Sequence, residues 1–170
     1  MADFAAAFDK TVRQFERFEL TDHAADYGRQ TYAGISRRYH PRWEGWALID
    51  ADRPVPDGLV EQFYRAEFWN PIQGDALTNQ AIAEAVFDWA VQRGPKKAVD
   101  LALAVLGLPP TLSMLAAVRE LNALPSPRAF VLDYGWRRVK HRLEIAGRDQ
   151  SQRVFLLGWL RRDMAFAGVA

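Results

Sequence analysis

FERFELTDHAADYGRQTYAGIS, running from Phe15 to Ser36, is the stretch from which the rest of the chain is best read. Upstream of it, Phe4, Phe8, Val12 and Phe15 recur at helical spacing, which predicts an amphipathic helix ending near Phe18. Glu16 falls on the last turn of that helix, between Phe15 and Phe18. A carboxyl group against an apolar wall favours its protonated form, which suits a proton donor near neutral pH. The segment that follows is polar and rich in turn formers, with Asp22, His23, Asp26 and Gly28, and predicts a short hairpin that reaches Thr31, Tyr32, Ala33 and Gly34. Glu16, a second carboxylate and the Thr31 hydroxyl would together supply an acid, a base and a group to position water. Asp26 is the first choice for the second carboxylate and Asp22 its rival. Each has an ordinary reading beside this one: Glu16 in an ion pair with Arg13 or Arg17, Asp26 as an Asx-turn.

Working outward, residues 37–56 contain three prolines and a Trp-x-x-Trp pair, Trp43 and Trp46, and read as irregular surface structure. A helix is expected from Asp57 to about Phe68, stopped by Asn70-Pro71. A stronger one runs from Thr78 to Gln92 and ends at Gly94, with Pro95 opening the next, 96–106. Further helices follow Pro110 and the Pro125–Pro127 break, the latter reaching about Ile145, and a last one is capped by Asp149 or Ser151. Outside the hairpin no stretch alternates with period two. The expected class is mainly α.

Composition bounds the chemistry. The chain has 170 residues, long enough for a real core, and a net charge of +1, so no general basic field for nucleic acid is present. There is no cysteine, which excludes disulfides, thiolate zinc sites and a cysteine nucleophile. His23, His40 and His141 are scattered without metal-ligand spacing, so no metal is implied, and no organic cofactor either. No apolar run approaches the ~18 residues of a membrane span, and the opening MADFAAAFDKTVRQF reads as a helix rather than a signal peptide.

The order Glu16, Asp26, Thr31 resembles phage-type lysozymes, which place Glu, eight residues, Asp, five residues, Thr at a helix end and its hairpin. Here the intervening counts are nine and four, so the Glu-to-Thr separation is kept and the Asp is displaced by one. The wording is more similar to glycoside hydrolase family 108, the lysozyme-like muramidases, with its E-G-G-Y…D-P-x-D-x-G-G-x-T-x-x-G-I signature, on which Asp26, Gly28, Thr31, Gly34 and Ile35 fall. FYRAEFWNPIQGDAL at 63–77 and VFDWAVQRGPKKAV at 86–99 resemble the family's next blocks. AFVLDYGWRRVKHRLEIAGRDQSQRVFLLGWLRR at 129–162 looks like the peptidoglycan-binding segment that often follows. Arg17 and Arg29 stand where the family has glycines, and Gln92 where it has asparagine.

The resemblance implies a lysozyme-like helical fold with a small hairpin at a cleft. It implies a catalytic part, 1–95, and a helical peptidoglycan-binding-like part, 96–170, packed on it as one compact unit. The implied activity is an N-acetylmuramidase acting on peptidoglycan glycan strands, with Glu16 as general acid and Asp26 and Thr31 completing the site. Tyr32, Trp69, Asp88 and Gln92 are the expected substrate-side residues. Trp69 reads equally as core or as a stacking platform, and Gln92 as a partner for an acetamido group or a solvated helix end. Asp88, between Phe87 and Trp89 on a buried helix, must be paired and is expected to brace the site. The basic residues of the last helices, Arg137, Arg138, Lys140, Arg142, Arg161 and Arg162, read as a solvated face or one attracted to anionic wall polymers. A monomer is expected, made in the cytoplasm and reaching the wall through a holin or a secretion system. The competing class is a non-catalytic peptidoglycan-binding pseudoenzyme or a secretion or phage-assembly accessory protein, for which Arg17 and Arg29 argue.

Overall fold

The computed structural model describes residues 1–22 and 29–168; His23, Asp26 and Gly28 lie outside the described residues. The first helix, α1 (Phe4–Phe8), is capped by Asp3, whose carboxylate accepts from the Ala5 N–H at 2.8 Å, and continues as a π-helical stretch, Asp9–Arg13. Phe8 and Val12 are buried as the spacing requires, but the helix ends before Phe18. The Glu16 N–H donates to Val12 O at 2.8 Å, which closes the final turn and sets Glu16 just beyond the helix end.

A three-stranded antiparallel sheet follows: β1 (Leu20–Asp22), β2 (Gln30–Tyr32) and β3 (Ile35–Ser36), in that spatial order. Thr31 faces Thr21 on one side and Ser36 on the other. Between β2 and β3 lie only Ala33 and Gly34, both at positive φ (48° and 77°), the geometry of a tight hairpin turn whose twist matches its strands. Alanine disfavours that conformation. Two hydrogen bonds hold it there: Ala33 N–H to Arg17 O at 2.9 Å, and the buried Tyr64 hydroxyl to Ala33 O at 2.7 Å.

Residues 37–56 are more ordered than their prolines suggest. They contain α2 (Gly45–Asp50), and Trp43 and Trp46 are buried with their rings 5.2 Å apart, edge to face. Gly45 permits this, because a Cβ there would come within 2.5 Å of the Trp43 ring. Next come α3 (Asp57–Tyr64), prolonged by a second π-helical stretch, Arg65–Trp69, and then α4 (Gln80–Arg93), capped by Asn79.

The α4 helix is the centre of the molecule and packs against α1, α5 (Pro95–Val105), α7 (Pro127–Arg148) and α8 (Arg153–Phe166); the shorter α6 (Met114–Asn122) leans on α5. Gly94 and Pro95 mark the α4–α5 junction as expected, with Gly94 at φ 92°. Pro127 likewise opens α7 behind a Ser126 cap. Because α7 and α8 contact α4 directly, the C-terminal helices share the core of the N-terminal half.

Candidate functional site

Glu16 is seated by three elements distant in sequence. The hairpin turn supplies Gly34: a Cβ built there would fall 2.8 Å from Glu16 Cδ and 2.5 Å from the Tyr64 hydroxyl oxygen. Only a residue without a side chain lets the turn lie against the carboxyl group. Helix α3 supplies Tyr64, whose hydroxyl is pushed well above the ordinary phenol range by burial and then by the nearby Glu16 charge, so it stays a hydrogen-bond donor. Helix α8 supplies Arg162, whose Nη1 donates to Glu16 Oε1 at 2.6 Å. The Glu16 side chain retains 21% exposure, so the carboxyl group sits at the surface end of this assembly.

Arg162 is not a solitary cation. Its Nε donates to Asp88 Oδ1 at 2.7 Å and its Nη2 to Thr11 O at 3.0 Å. Burial alone would lower its pKa, but the attraction of Asp88 and Glu16 prevails and holds it above the usual arginine value. Asp88 also binds Arg138, and Arg138 Nε donates to Asp163 Oδ1 at 2.9 Å. Arg142 closes the series, with Nε 3.4 Å from Asp163 Oδ2 and Nη2 donating to Gln92 Oε1 at 3.0 Å. Three carboxylates thus alternate with three guanidinium groups, from Glu16 at the surface through the buried Asp88, Arg138 and Asp163 to Arg142, which reaches the half-buried Gln92, in balanced charge. Buried ions are tolerated only under such pairing. Arg142 has the poorest partner, and burial dominates despite Asp163, lowering its pKa to about 10. Its guanidinium lies between two indoles, 4.7 Å from the Trp89 ring and 4.9 Å from Trp159.

These placements correct some expectations and meet others. The apolar wall beside Glu16 is not its dominant environment: Phe15 packs on Phe166 and beneath Arg162, Phe18 packs on Tyr32, and the carboxylate itself is ion-paired. Trp69 is fully buried, with Nε1 donating to Asp75 at 2.8 Å, so it is core and offers no face to a sugar. Asp88 is also fully buried and braces the arginines behind Glu16 without reaching a substrate. The Gln92 carbonyl is engaged by Arg142. Thr31 sits in β2 with its hydroxyl donating to Arg29 O at 3.0 Å, and Tyr32 is half-buried beside Trp43. Asp22 ends β1 with Arg29 3.6 Å away, while Asp26 lies outside the described residues.

The side chains of Arg17 and Arg29, which stand at the family's glycine positions, are paired away from Glu16. Arg17 is 81% exposed and turns to Glu19, and Arg29 lies beside Asp22. Conversely, Arg138, Arg142 and Arg162 are buried and not part of a solvated basic face. The sequence carried a signal for this. Arg138 and Arg142 continue the inward stripe of Phe130, Val131 and Tyr134 at steps of three and four, and Arg162 lies four residues before the buried Phe166. An arginine on such a stripe needs a buried acid, and Asp88 and Asp163 are the acids.

Among the described residues no group of histidine, aspartate and glutamate side chains is arranged to hold a metal ion. The arrangement fixes a partly exposed carboxyl group, Glu16, at one oxygen through Arg162.

Residues 11–94 match the family model described as Glycosyl hydrolase 108, a segment that includes Glu16, Thr31, Gly34 and Asp88 but none of the three buried arginines. No curated protein matches the chain. Among solved structures, that of Brucella abortus SagA superposes with a TM-score of 0.66 over 96% of this chain and 95% of that one, at 24% identity, so the two share a fold. The observed fold is accordingly the mainly helical, lysozyme-like one with a small antiparallel sheet, and the similarity of residues 11–94 to the glycosyl hydrolase 108 model supports a glycoside hydrolase.

Proposed function

We propose that this protein is a peptidoglycan hydrolase that cleaves the β-1,4 bond between N-acetylmuramic acid and N-acetylglucosamine, with Glu16 as the general acid. The observation that carries the reading is the seating of Glu16: a partly exposed carboxyl group, fixed at one oxygen by Arg162 and pressed on the hairpin turn at Gly34. Such fixing orients the group that must reach a glycosidic oxygen. Asp88 shares the Arg162 charge, so the arginine positions Glu16 without being devoted to it alone.

In the reaction Glu16 takes up a proton on Oε2, since Arg162 holds Oε1, and passes it to the leaving oxygen as the glycosidic bond breaks, while a second carboxylate stabilises the oxocarbenium-like state or activates water. Asp26 is proposed for that role and Asp22 is the rival; an inverting pair would stand ~6.5–9.5 Å apart. Thr31 is the proposed partner of the attacking water, and Tyr32 a contact for the glycan. The substrate lies in the cell wall, so a protein made in the cytoplasm would act there after release by a holin or a secretion system. No helix among the described residues is long and apolar enough to cross a membrane.

Glu16→Gln tests the assignment. The amide oxygen still accepts from Arg162, so the fold is retained while the transferable proton is lost. Clearing of purified cell wall should fall by at least ~100-fold, and the parent should release fragments whose reducing-end sugar, read by mass spectrometry, is N-acetylmuramic acid. Clearing by the variant at the parent rate would remove Glu16 from the chemistry.

A further inference from the structure

We propose that the groove between residues 39–44 and the outer face of α3 is a sugar-binding site for an N-acetylhexosamine ring of the glycan; this rests on the peptidoglycan reading above. The groove has a volume of about 600 Å³, within the range of ~300–1,000 Å³ typical of small-molecule sites. Its walls are aromatic. Tyr39 is 62% exposed, while Trp43 and Phe63 are held with ring centroids 6.0 Å apart, and the His40 ring stands edge-on to Phe63 at 4.8 Å. Packing of Trp43 on Trp46 and against Gly45 fixes this surface before any ligand arrives.

Around the aromatic walls stand Arg42, Glu44, Gln62 and Glu67. Among the described residues the side chains of these four make no hydrogen bond or ion pair, although the Glu67 charge acts on His40, whereas Arg13, Arg37 and Arg65 elsewhere on the surface are each paired with aspartate. The indole Nε1 of Trp43, itself buried, also has no partner among the described residues. A pyranose matches this pattern. Its flat C–H face rests on aromatic rings, and its edge carries hydroxyls that donate to carboxylates and an acetamido group that pairs with an amide or a guanidinium. The mixed rim, two carboxylates with one guanidinium and one amide, fits a neutral polyhydroxyl ligand better than a cation.

The groove adjoins the Glu16 assembly. Phe63 lines it, and the next residue, Tyr64, lies against Gly34 at Glu16. Trp43 packs on Tyr32, which leads into the same turn. A glycan strand anchored here would therefore lie one face of α3 away from the reacting carboxyl group.

The test titrates tri-N-acetylchitotriose into the full chain carrying Glu16→Gln, which prevents cutting, and follows tryptophan fluorescence and calorimetry. Tyr39→Ala and Glu67→Gln, both surface changes, are added separately to that background. Saturable binding weakened by roughly three- to tenfold in each supports the site. Equal affinity in all three proteins overturns it, as does undetectable binding, or saturable binding of tetramethylammonium without any response to the sugar. The two proposals fail separately. If the groove variants lose sugar binding but the parent releases no wall fragments, the hydrolase reading falls and the site stands. If Glu16→Gln stops clearing while the groove variants bind as before, only the groove assignment falls.

Discussion

Arg162 Nη1 lies 2.6 Å from Glu16 Oε1, joining residues 146 positions apart and fastening the last helix to the end of the first. Through Asp88 the same guanidinium ties both to α4, the centre of the fold. The carboxylate proposed as the general acid is therefore held in place by the last helix of the chain.

Arg162→Met should be severely destabilising. It leaves Asp88 with one cation instead of two and deprives Glu16 of its partner, and breaking a buried pair costs about 3–5 kcal/mol. Urea unfolding followed by circular dichroism measures this. Arg162→Lys should recover only part of the loss, because an ammonium cannot reproduce the three directed contacts to Glu16, Asp88 and Thr11 O.

Arg142→Met should cost far less. Arg142 has one long contact to Asp163, which keeps Arg138, and its side chain already lies between Trp89 and Trp159. Methionine fills that space and removes a poorly compensated buried charge, so a change under about 1.5 kcal/mol is expected from the same unfolding measurement. A loss equal to that of Arg162→Met would show that the network acts as an indivisible unit.

Gly34→Ala should impair cleavage more than folding. The left-handed conformation costs an alanine about 1–2 kcal/mol, and its Cβ would sit 2.8 Å from Glu16 Cδ and 2.5 Å from the Tyr64 hydroxyl. The carboxyl group must move, so wall clearing should drop by at least ~10-fold while the thermal midpoint falls by only a few degrees. Unaltered clearing would mean that the turn does not set the position of Glu16.

His141→Phe should stabilise the protein at acid pH. Burial, followed by the charges of Arg93 and Arg142, lowers the His141 pKa below its ordinary 6.5; Glu144 opposes this and Lys97 adds to it. As pH falls below 6.5 the unfolded chain takes up a proton that the folded one resists, so stability declines toward pH 5 and is unaffected by this group well above 6.5. His40, also lowered by burial, contributes in the same direction. Phenylalanine keeps the edge-on contact with Trp89 and removes the buried Nε2, which has no hydrogen-bond partner among the described residues. Thermal midpoints at pH 5 and pH 7.5 should show a larger gain for the variant at pH 5; a gain independent of pH would exclude titration as the cause.

The sequence by itself determined most of the helices, because apolar periodicity, Gly94, Pro95 and Pro127 act within a few residues of one another. It also placed Glu16 near the end of the first helix with a hairpin after it, and it marked Asp88 as a carboxylate that had to be paired. Local pattern misjudged residues 37–56, where three prolines outweighed the two tryptophans that the core absorbs. What only the tertiary structure decided was which charges are inside. Arg162 and Arg161 are adjacent and chemically identical, yet Arg162 is buried and Arg161 exposed, and the difference is whether Asp88 and Glu16 are brought within reach. Electrostatic pairing depends on distance in space, and separations of 74 and 146 residues along the chain carry no trace of a 2.6–2.7 Å contact until α8 docks.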